Sequence, residues 1–330
     1  MKTPTYIILL SLTLFLTTSC GTQKRNKSKN KKPVTAITPL FNADSAYAFT
    51  AKQVAFGPRV PGTKAHTSCA KWLVSNMKRF SDTVYVQKFR ARTYDGVTRN
   101  GINIIGALNP DAGSRVLLLA HWDSRPFADH DKNPSNYRKP IDAANDGASG
   151  VAILMELMRQ FKLKRPDVGV DVLLVDLEDW GPPDFENHPS NENDWGLGSQ
   201  YWAKSPHLSG YDANFGILLD MVGAKNPTFL KEYYSMGYAG YVVNEVWKTA
   251  DELGYGNAFI NKEDGAISDD HIFINKYRNI PTIDIIHLDH NSSNGSFYEY
   301  WHTTGDTMDK IDKNTLKMVG IVVGTVVYNN

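Results

Sequence analysis

Three of the most apolar runs in this chain end on acids or histidine, and this pattern constrains the fold more than any other feature. SRVLLLAHWD (114–123) delivers His121 and Asp123, GVDVLLVDLED (169–179) delivers Glu178 and Asp179, and FGILLD (215–220) delivers Asp220. Further β-rich runs, TVYVQKF, GINIIGAL and IPTIDIIHLDH, are interleaved with helix patterns such as ASGVAILMELMRQF and GYVVNEVWKTADEL. Runs of Val, Ile and Leu without polar alternation suit strands covered on both faces, and their alternation with helices predicts parallel pairing. The expected fold class is α/β: a three-layer α/β/α sandwich with a mostly parallel central sheet, forming a single globular domain. Ligands of such sheets bind at the carboxyl ends of the strands, so the charged strand ends converge on one place.

The N-terminus reads differently. MKTPTYIILLSLTLFLTTSC (1–20) has Lys2, an apolar core from Tyr6 to Leu16 and small residues up to Cys20, the pattern of an export signal. Its apolar stretch is too short for a membrane span. Cys20 stands where a bacterial lipoprotein signal places its lipidated cysteine. Residues 21–37 read as a basic flexible tether, with six Lys or Arg between Lys24 and Lys32 and no acid. Such a run suits solvent or anionic lipid head groups. The expectation is an exported, periplasmic protein, lipid-anchored to a bacterial membrane through Cys20, with membrane contact only through that anchor.

The remaining residues, 38–330, are expected to form the one globular domain and to be a monomer. Setting aside Lys2 and the six basic tether residues leaves 29 Lys and Arg against 35 Asp and Glu, about −6, which argues against a nucleic-acid partner. The only other cysteine is Cys69, so a disulfide framework is excluded. Helices are expected around 42–55 and 66–80, and NTLKMVGIVVGTVVYN reads as a closing helix capped by Asn314. GPPDFENHPSNENDW and LDHNSSNGSFYEYWH are long loops of the kind that rim a site.

Glu178 and Asp179 pose a physical problem, because two adjacent carboxylates at the end of a dry strand cost several kcal/mol unless a cation compensates. In a strand, neighbours alternate, so the two would point to opposite faces. DAANDGASG puts Asp146 at the start of a helix beginning near Ala148, with Gly147 and Gly150 allowing close backbone approach; plain N-capping is the alternative reading. EYWHTTGDT supplies His302 from a loop. Several carboxylates with one or two imidazoles suit Zn²⁺, which binds Asp, Glu and His and in catalytic sites keeps a position open. Calcium would require more oxygens and no imidazole. His66, His130, His188 and His207 lie in polar stretches and read as surface residues, His271 as the start of a helix, and His287 and His290 as rim-loop residues.

The order His121-x-Asp123, Asp146, Glu178-Asp179, Asp220, His302 resembles the zinc-aminopeptidase-like α/β fold of the M28 type. LLDMVGAKNPTF (218–229), SDDHIFINKYRNIP (268–281) and YWHTTGDTMDKID (300–312) narrow the resemblance to the animal-type (type II) glutaminyl-peptide cyclotransferases, or glutaminyl cyclases. It runs from about residue 40 to the C-terminus. It implies conversion of the N-terminal glutamine of peptides and proteins to pyroglutamate with release of ammonia. It further implies one zinc per chain held by Asp146, Asp179 and His302, with Glu178 as general acid/base. Asp220 and Asp269 would form a hydrogen-bonded acidic pair, and Trp301 would line the pocket, joined by Trp195 rather than Trp180.

Two departures stand out. The animal enzymes usually have Glu-Glu where this chain has Glu178-Asp179, and tend to carry histidine where it has Asp284. One rival is a di-zinc aminopeptidase of the same fold, with His121, Asp146 and Asp220 around a second ion. The other is a non-catalytic binding domain on the same scaffold, against which the retention of Glu178 and all three ligands argues.

Overall fold

The structure, a computed structural model, describes residues 40–189 and 191–330. The expected export signal, the tether and Cys20 lie outside the described residues. Among the described residues eight strands occur in chain order: β1 (Thr83–Arg92), β2 (Thr98–Leu108), β3 (Arg115–His121), β4 (Gly169–Val175), β5 (Phe215–Asp220), β6 (Phe229–Lys231), β7 (Phe259–Glu263) and β8 (Thr282–Ile286). Six of them form the central sheet in the order β1-β2-β4-β3-β5-β8, while β6 and β7 pair separately. Strands β4, β3, β5 and β8 run parallel, and β1 and β2 add an antiparallel edge. The mostly parallel sheet is as expected. The antiparallel edge follows from the short turn between β1 and β2, closed by Thr93 N donating to Val97 O at 2.9 Å, since a turn this short cannot make a parallel crossover.

Among the described residues seven α-helices flank the sheet: α1 (Ala43–Val54), α2 (Lys64–Phe80), α3 (Ala148–Leu163), α4 (Leu197–Lys204), α5 (Tyr233–Glu252), α6 (Asp270–Arg278) and α7 (Lys313–Tyr328). Strand β3 shows how the layers form. Val116, Leu118 and Ala120 join the core made with α2, α3, α5 and α7, whereas Leu117 and Leu119 face Trp202 of α4 and Ile274 of α6. This period-two division needs apolar residues at every position of a central strand, which is why VLLLA shows no polar alternation. Leu118 has no exposed surface, so truncating it to alanine would cost about 2–5 kcal/mol.

The helix starts follow capping chemistry. Asn42 accepts Ser45 N at 3.0 Å and Thr63 accepts His66 N at 3.1 Å. The closing helix is capped two residues earlier than expected, because Asp312 is extended and accepts from Asn314 N and Thr315 N, leaving Asn314 already inside the helix.

Candidate active site

Strands β3 and β5 end on His121 and Asp220, as the sequence suggested. Strand β4 does not reach the acids. It stops at Val175, and residues 176–179 form an irregular turn in which Leu177 takes a left-handed φ of 57°. Strand alternation therefore does not separate Glu178 from Asp179. The buried carboxylate of Asp123 sets their position, accepting Glu178 N at 3.2 Å through Oδ1 and Asp179 N at 3.3 Å through Oδ2. Asp176, at the start of the turn, accepts Leu177 N at 2.8 Å and Ile102 N at 2.6 Å.

His66 completes this anchor, with Nε2 2.9 Å from Asp176 Oδ2 and its ring stacked on Trp122 at 4.4 Å. It is thus buried, not a surface residue. The signal was present: His66, Cys69, Ala70, Leu73, Asn76, Met77 and Phe80 form the buried helical stripe of α2. His130 also differs from expectation. It is half-buried, its ring centre 4.3 Å from that of Trp301 and its backbone N–H donating to His302 O at 3.1 Å. His271 and His287 are buried as well, whereas His188 and His290 are exposed.

Backbone strain clusters here. Among the described residues seven non-glycine positions have positive φ. Three are asparagine, which tolerates that region. The other four, Ala143, Leu177, Met221 and His302, lie at or within three residues of Asp146, Glu178, Asp220 and the loop imidazole. Conformations of this kind cost of order 1–3 kcal/mol each and persist where the surroundings over-determine them.

Asp146, Asp179 and His302 each offer one donor atom, all within 4.8 Å of one another. His302 Nε2 lies 3.2 Å from Asp179 Oδ1 and 3.7 Å from Asp146 Oδ2. Asp146 Oδ2 and Asp179 Oδ2 are buried without a hydrogen-bond partner. Buried carboxylate oxygens left in this state are costly and are what a bound cation would satisfy. Two carboxylates and one imidazole fit Zn²⁺ with a position open. Behind the imidazole, His302 Nδ1 lies 3.5 Å from Asp129 Oδ1, and Arg125 grips Asp129 through two hydrogen bonds of 2.8 and 2.6 Å. A carboxylate behind a ligating imidazole orients the ring and raises its basicity.

Asp146 does not cap α3. Gly147 occupies the cap position with φ 97°, no side-chain bond closes the helix end, and the Asp146 side chain joins the cluster. A Cβ on Gly147 would lie 2.8 Å from His121 Cε1, and one on Gly150 2.2 Å from Leu219 O, so both glycines permit the close approach expected of them. Two supports carry no local signal in the sequence. Asp306 accepts Asn145 N and Asp146 N, both at 3.0 Å, and the buried Arg59 donates to Trp122 O (3.1 Å), Asp142 O (2.7 Å) and Ala143 O (2.8 Å). Arg59 thereby ties the loop after β3 to the loop before Asp146.

His121 Nε2 lies 3.1 Å from Asp146 Oδ1 and 3.2 Å from Asp220 Oδ1, so His121, Asp146 and Asp220 make a second three-donor group that shares Asp146. Asp269 accepts Asp270 N as the cap of α6. Among the described residues no hydrogen bond joins Asp269 to Asp220, because Asp220 is drawn to His121, yet both line the same cleft.

That cleft, of about 420 Å³, is lined by Asp146, Glu178, Asp179, Trp195, Asp220, Asp269, Trp301 and His302 together with Ile267 and Phe297. The eight residues that the resemblance assigns to the site all line this cavity, whereas His121 and Asp123 do not. Trp301 stacks on His302 with ring centres 3.9 Å apart, and Trp195 lies parallel to it at 6.3 Å. Trp180 instead packs with Phe89, Leu177 and Leu197, under the Arg99 guanidinium at 3.9 Å. Asp284 is fully buried, its backbone N donating to Ser235 Oγ at 2.9 Å.

The electrostatics are set by burial. Desolvation pushes the Glu178 carboxyl well above the ordinary range against the pull of His121, and Asp179, Asp269 and Asp270 add to the rise. Desolvation likewise raises Asp220 to about 7 despite its hydrogen bond to His121. Asp146 moves the other way, because the His121 hydrogen bond and charge outweigh its burial. The site thus combines a carboxyl that can hold a proton with one that stays ionised.

A mostly parallel sheet with acids and imidazoles gathered at the carboxyl ends of its parallel strands defines the class. Residues 103–327 match peptidase family M28, and the chain belongs to that family. Within it, the chain is 51% identical to the crystal structure of Tannerella forsythia glutaminyl cyclase, with a TM-score of 0.86 over 88% of this chain and 100% of that one. It is also 51% identical to a Zn-dependent exopeptidase from Parabacteroides distasonis, with a TM-score of 0.86 over 89% of this chain and 100% of that one. The glutaminyl-peptide cyclotransferase of Bos taurus is 27% identical over 298 residues, 78% of this chain and 74% of its own. The resemblance drawn from the three motifs is borne out, and the family and its neighbours support zinc.

Proposed function

We propose that the protein is a zinc-dependent glutaminyl-peptide cyclotransferase that closes an N-terminal glutamine to pyroglutamate and releases ammonia. The observation that carries this reading is the state of Glu178. It lines the cleft beside the three-donor cluster, and among the described residues its carboxylate makes no hydrogen bond, with His121 Nδ1 3.9 Å from its Oε2. It is therefore free to carry a proton. The names of the bacterial and animal relatives support the same reaction.

One zinc per chain, held by Asp146, Asp179 and His302, would supply Lewis acidity at the glutamine γ-carbonyl oxygen. The α-amine, with an ordinary pKa of about 7.7–8.0, is readily deprotonated near neutral pH. Its nitrogen bonds to the side-chain carbonyl carbon, and the bond from that carbon to the amide nitrogen breaks. Glu178 accepts the proton from the attacking amine and returns it to the departing nitrogen, which leaves as ammonia. A raised pKa suits one carboxyl to both transfers. Asp220 and Asp269 would hold the N–H groups of the departing nitrogen, and Trp195 and Trp301 would enclose the glutamine side chain. The enzyme would act as a monomer, exported and held at a bacterial membrane through Cys20.

The His121, Asp146 and Asp220 group favours one alternative, a two-zinc aminopeptidase. Incubation with a Gln-initiated peptide, read by mass spectrometry, separates the two. Loss of ammonia from an otherwise intact peptide is the expected result, whereas release of free glutamine would establish the aminopeptidase.

A further inference from the structure

Arg125, in the loop that follows β3, is 1% exposed and lies against Asp179, in the cluster that a metal ion would fill. A buried guanidinium beside a cation site is costly unless its surroundings fix it there, because both draw on the same carboxylates. Asp129 offsets its charge, accepting from Nε at 2.8 Å and from Nη2 at 2.6 Å. A lysine would offset that charge too, so the choice of arginine points to shape. Nη1 donates to Asp179 O at 3.2 Å and lies 3.4 Å from Asp179 Oδ1, while Nη2 donates to Pro182 O at 3.3 Å. Asp129 Oδ2 in turn accepts Asp184 N at 3.1 Å. The pair thus fastens the whole stretch from Asp179 to Asp184.

The same guanidinium supports a wall of the cleft. Its Cζ lies 4.8 Å from the centre of the Trp195 indole. Trp195 lines the cleft and Arg125 does not, so the arginine acts from behind the ring. Trp195 stands in the irregular backbone just before α4, so no regular element fixes its side chain. Gly181 shows how closely the ring is seated. A Cβ there would lie 2.1 Å from Trp195 Cε2, and its φ is not positive, so the approach of the indole is what calls for glycine. A planar guanidinium can stack on an aromatic face while its N–H edge stays free for hydrogen bonds in the plane. An ammonium cannot do both.

We propose that Arg125 is a positioning residue that sets the candidate ligand Asp179 and the cleft wall Trp195 with one planar group, so that metal retention and substrate fit depend on the same guanidinium. Its substrate arm rests on the cyclase reading. Arg125→Lys is the deciding variant, because it keeps the charge opposite Asp129 and removes the fork and the flat face. Gly181→Ala is its partner, pushing on the Trp195 ring while leaving the Arg125 and Asp129 side chains in place. Each is compared with the wild type by titration of the zinc-loaded protein with a chelator, and by KM and kcat for a Gln-initiated peptide at saturating zinc. Arg125→Lys should release zinc at about tenfold lower chelator concentration. It should also raise KM about tenfold, with KM changing more than kcat. Gly181→Ala should raise KM and leave the zinc titration unchanged. If Arg125→Lys moves only one of the two measurements, or neither, the arginine merely offsets Asp129 and the proposal is overturned while the cyclase reading stands. Should Arg125→Lys not fold, an unchanged KM in Gly181→Ala overturns the proposal and a raised one keeps it. If the wild-type protein cyclises no Gln-initiated peptide, the cyclase reading fails instead. Fluorescence anisotropy of the labelled peptide then replaces KM: weaker binding together with easier zinc loss in Arg125→Lys keeps the shared role, and either one alone removes it.

Discussion

The Asp123 carboxylate receives the backbone N–H of Glu178 at 3.2 Å and, through its other oxygen, that of Asp179 at 3.3 Å. A single buried side chain thus fixes where two neighbouring acids stand. Asp123→Asn keeps the shape but sets an amide N–H against a backbone N–H. We expect a loss of about 1–3 kcal/mol in thermal or denaturant unfolding. Turnover should fall about 10²-fold as Glu178 is displaced, and a chelator should strip zinc from the variant at lower concentration than from the wild type, because Asp179 is held by the same carboxylate. Unchanged kcat would remove Asp123 from this role.

Glu178→Gln tests the proton carrier directly. The amide fills the same space but cannot shuttle a proton, so kcat should drop by about 10²–10⁴. Zinc stoichiometry and melting temperature should hold. A variant that keeps wild-type turnover would show that another group moves the proton.

Arg59 makes three hydrogen bonds to backbone carbonyls from a fully buried position. Arg59→Met leaves those acceptors without donors, at about 1–3 kcal/mol for each buried group. Beyond the lost stability, the loops bearing Asp123 and Asp146 should loosen. Titration with a chelator should then strip zinc from the variant at lower chelator concentration than from the wild type. Identical titrations would restrict Arg59 to fold stability.

His287 gives stability an acid limb. Burial lowers its pKa to about 4, with Asp289 pulling weakly the other way. The unfolded chain protonates near the ordinary value of about 6.5. The folded form is therefore fully favoured above that pH and loses stability as pH falls toward 4, by up to about 1.4 kcal/mol per pH unit for one group. In urea melts across this window, His287→Gln should flatten the slope; an unaltered slope would assign the acid sensitivity elsewhere.

Cys69 has no exposed surface, and burial pushes its thiol up to about 12. Reaction needs the thiolate and access to it. Peptide mapping after alkylation should find Cys69 unmodified in the native protein and fully modified in denaturant. Native labelling would mean that the α2 face opens readily.

Much of the site was legible because its chemistry is written at strand and helix ends. His121 and Asp220 close apolar runs, Asp146 precedes a helix beside two glycines, and YWH stands out in its loop. Hydrophobic period also gave the sheet and most helices. Local pattern misjudged residues whose partners are remote in sequence. His66 looked polar and exposed, yet its partner Asp176 lies 110 residues away. Arg59 sits in a stretch with no periodic signal, and its three carbonyl partners come from two other loops.

What the sequence determined by itself is the alternation of buried strands and helices and the set of acids and imidazoles at their ends, because burial period and side-chain chemistry are local properties. Tertiary structure decided how those groups share the work. Strand β4 ends before Glu178 and Asp179, so no strand period could separate them; Asp123, from a neighbouring strand end, does so through two hydrogen bonds. The cost of a buried carboxylate depends on everything within a few ångströms of it. Only folding brings those neighbours together.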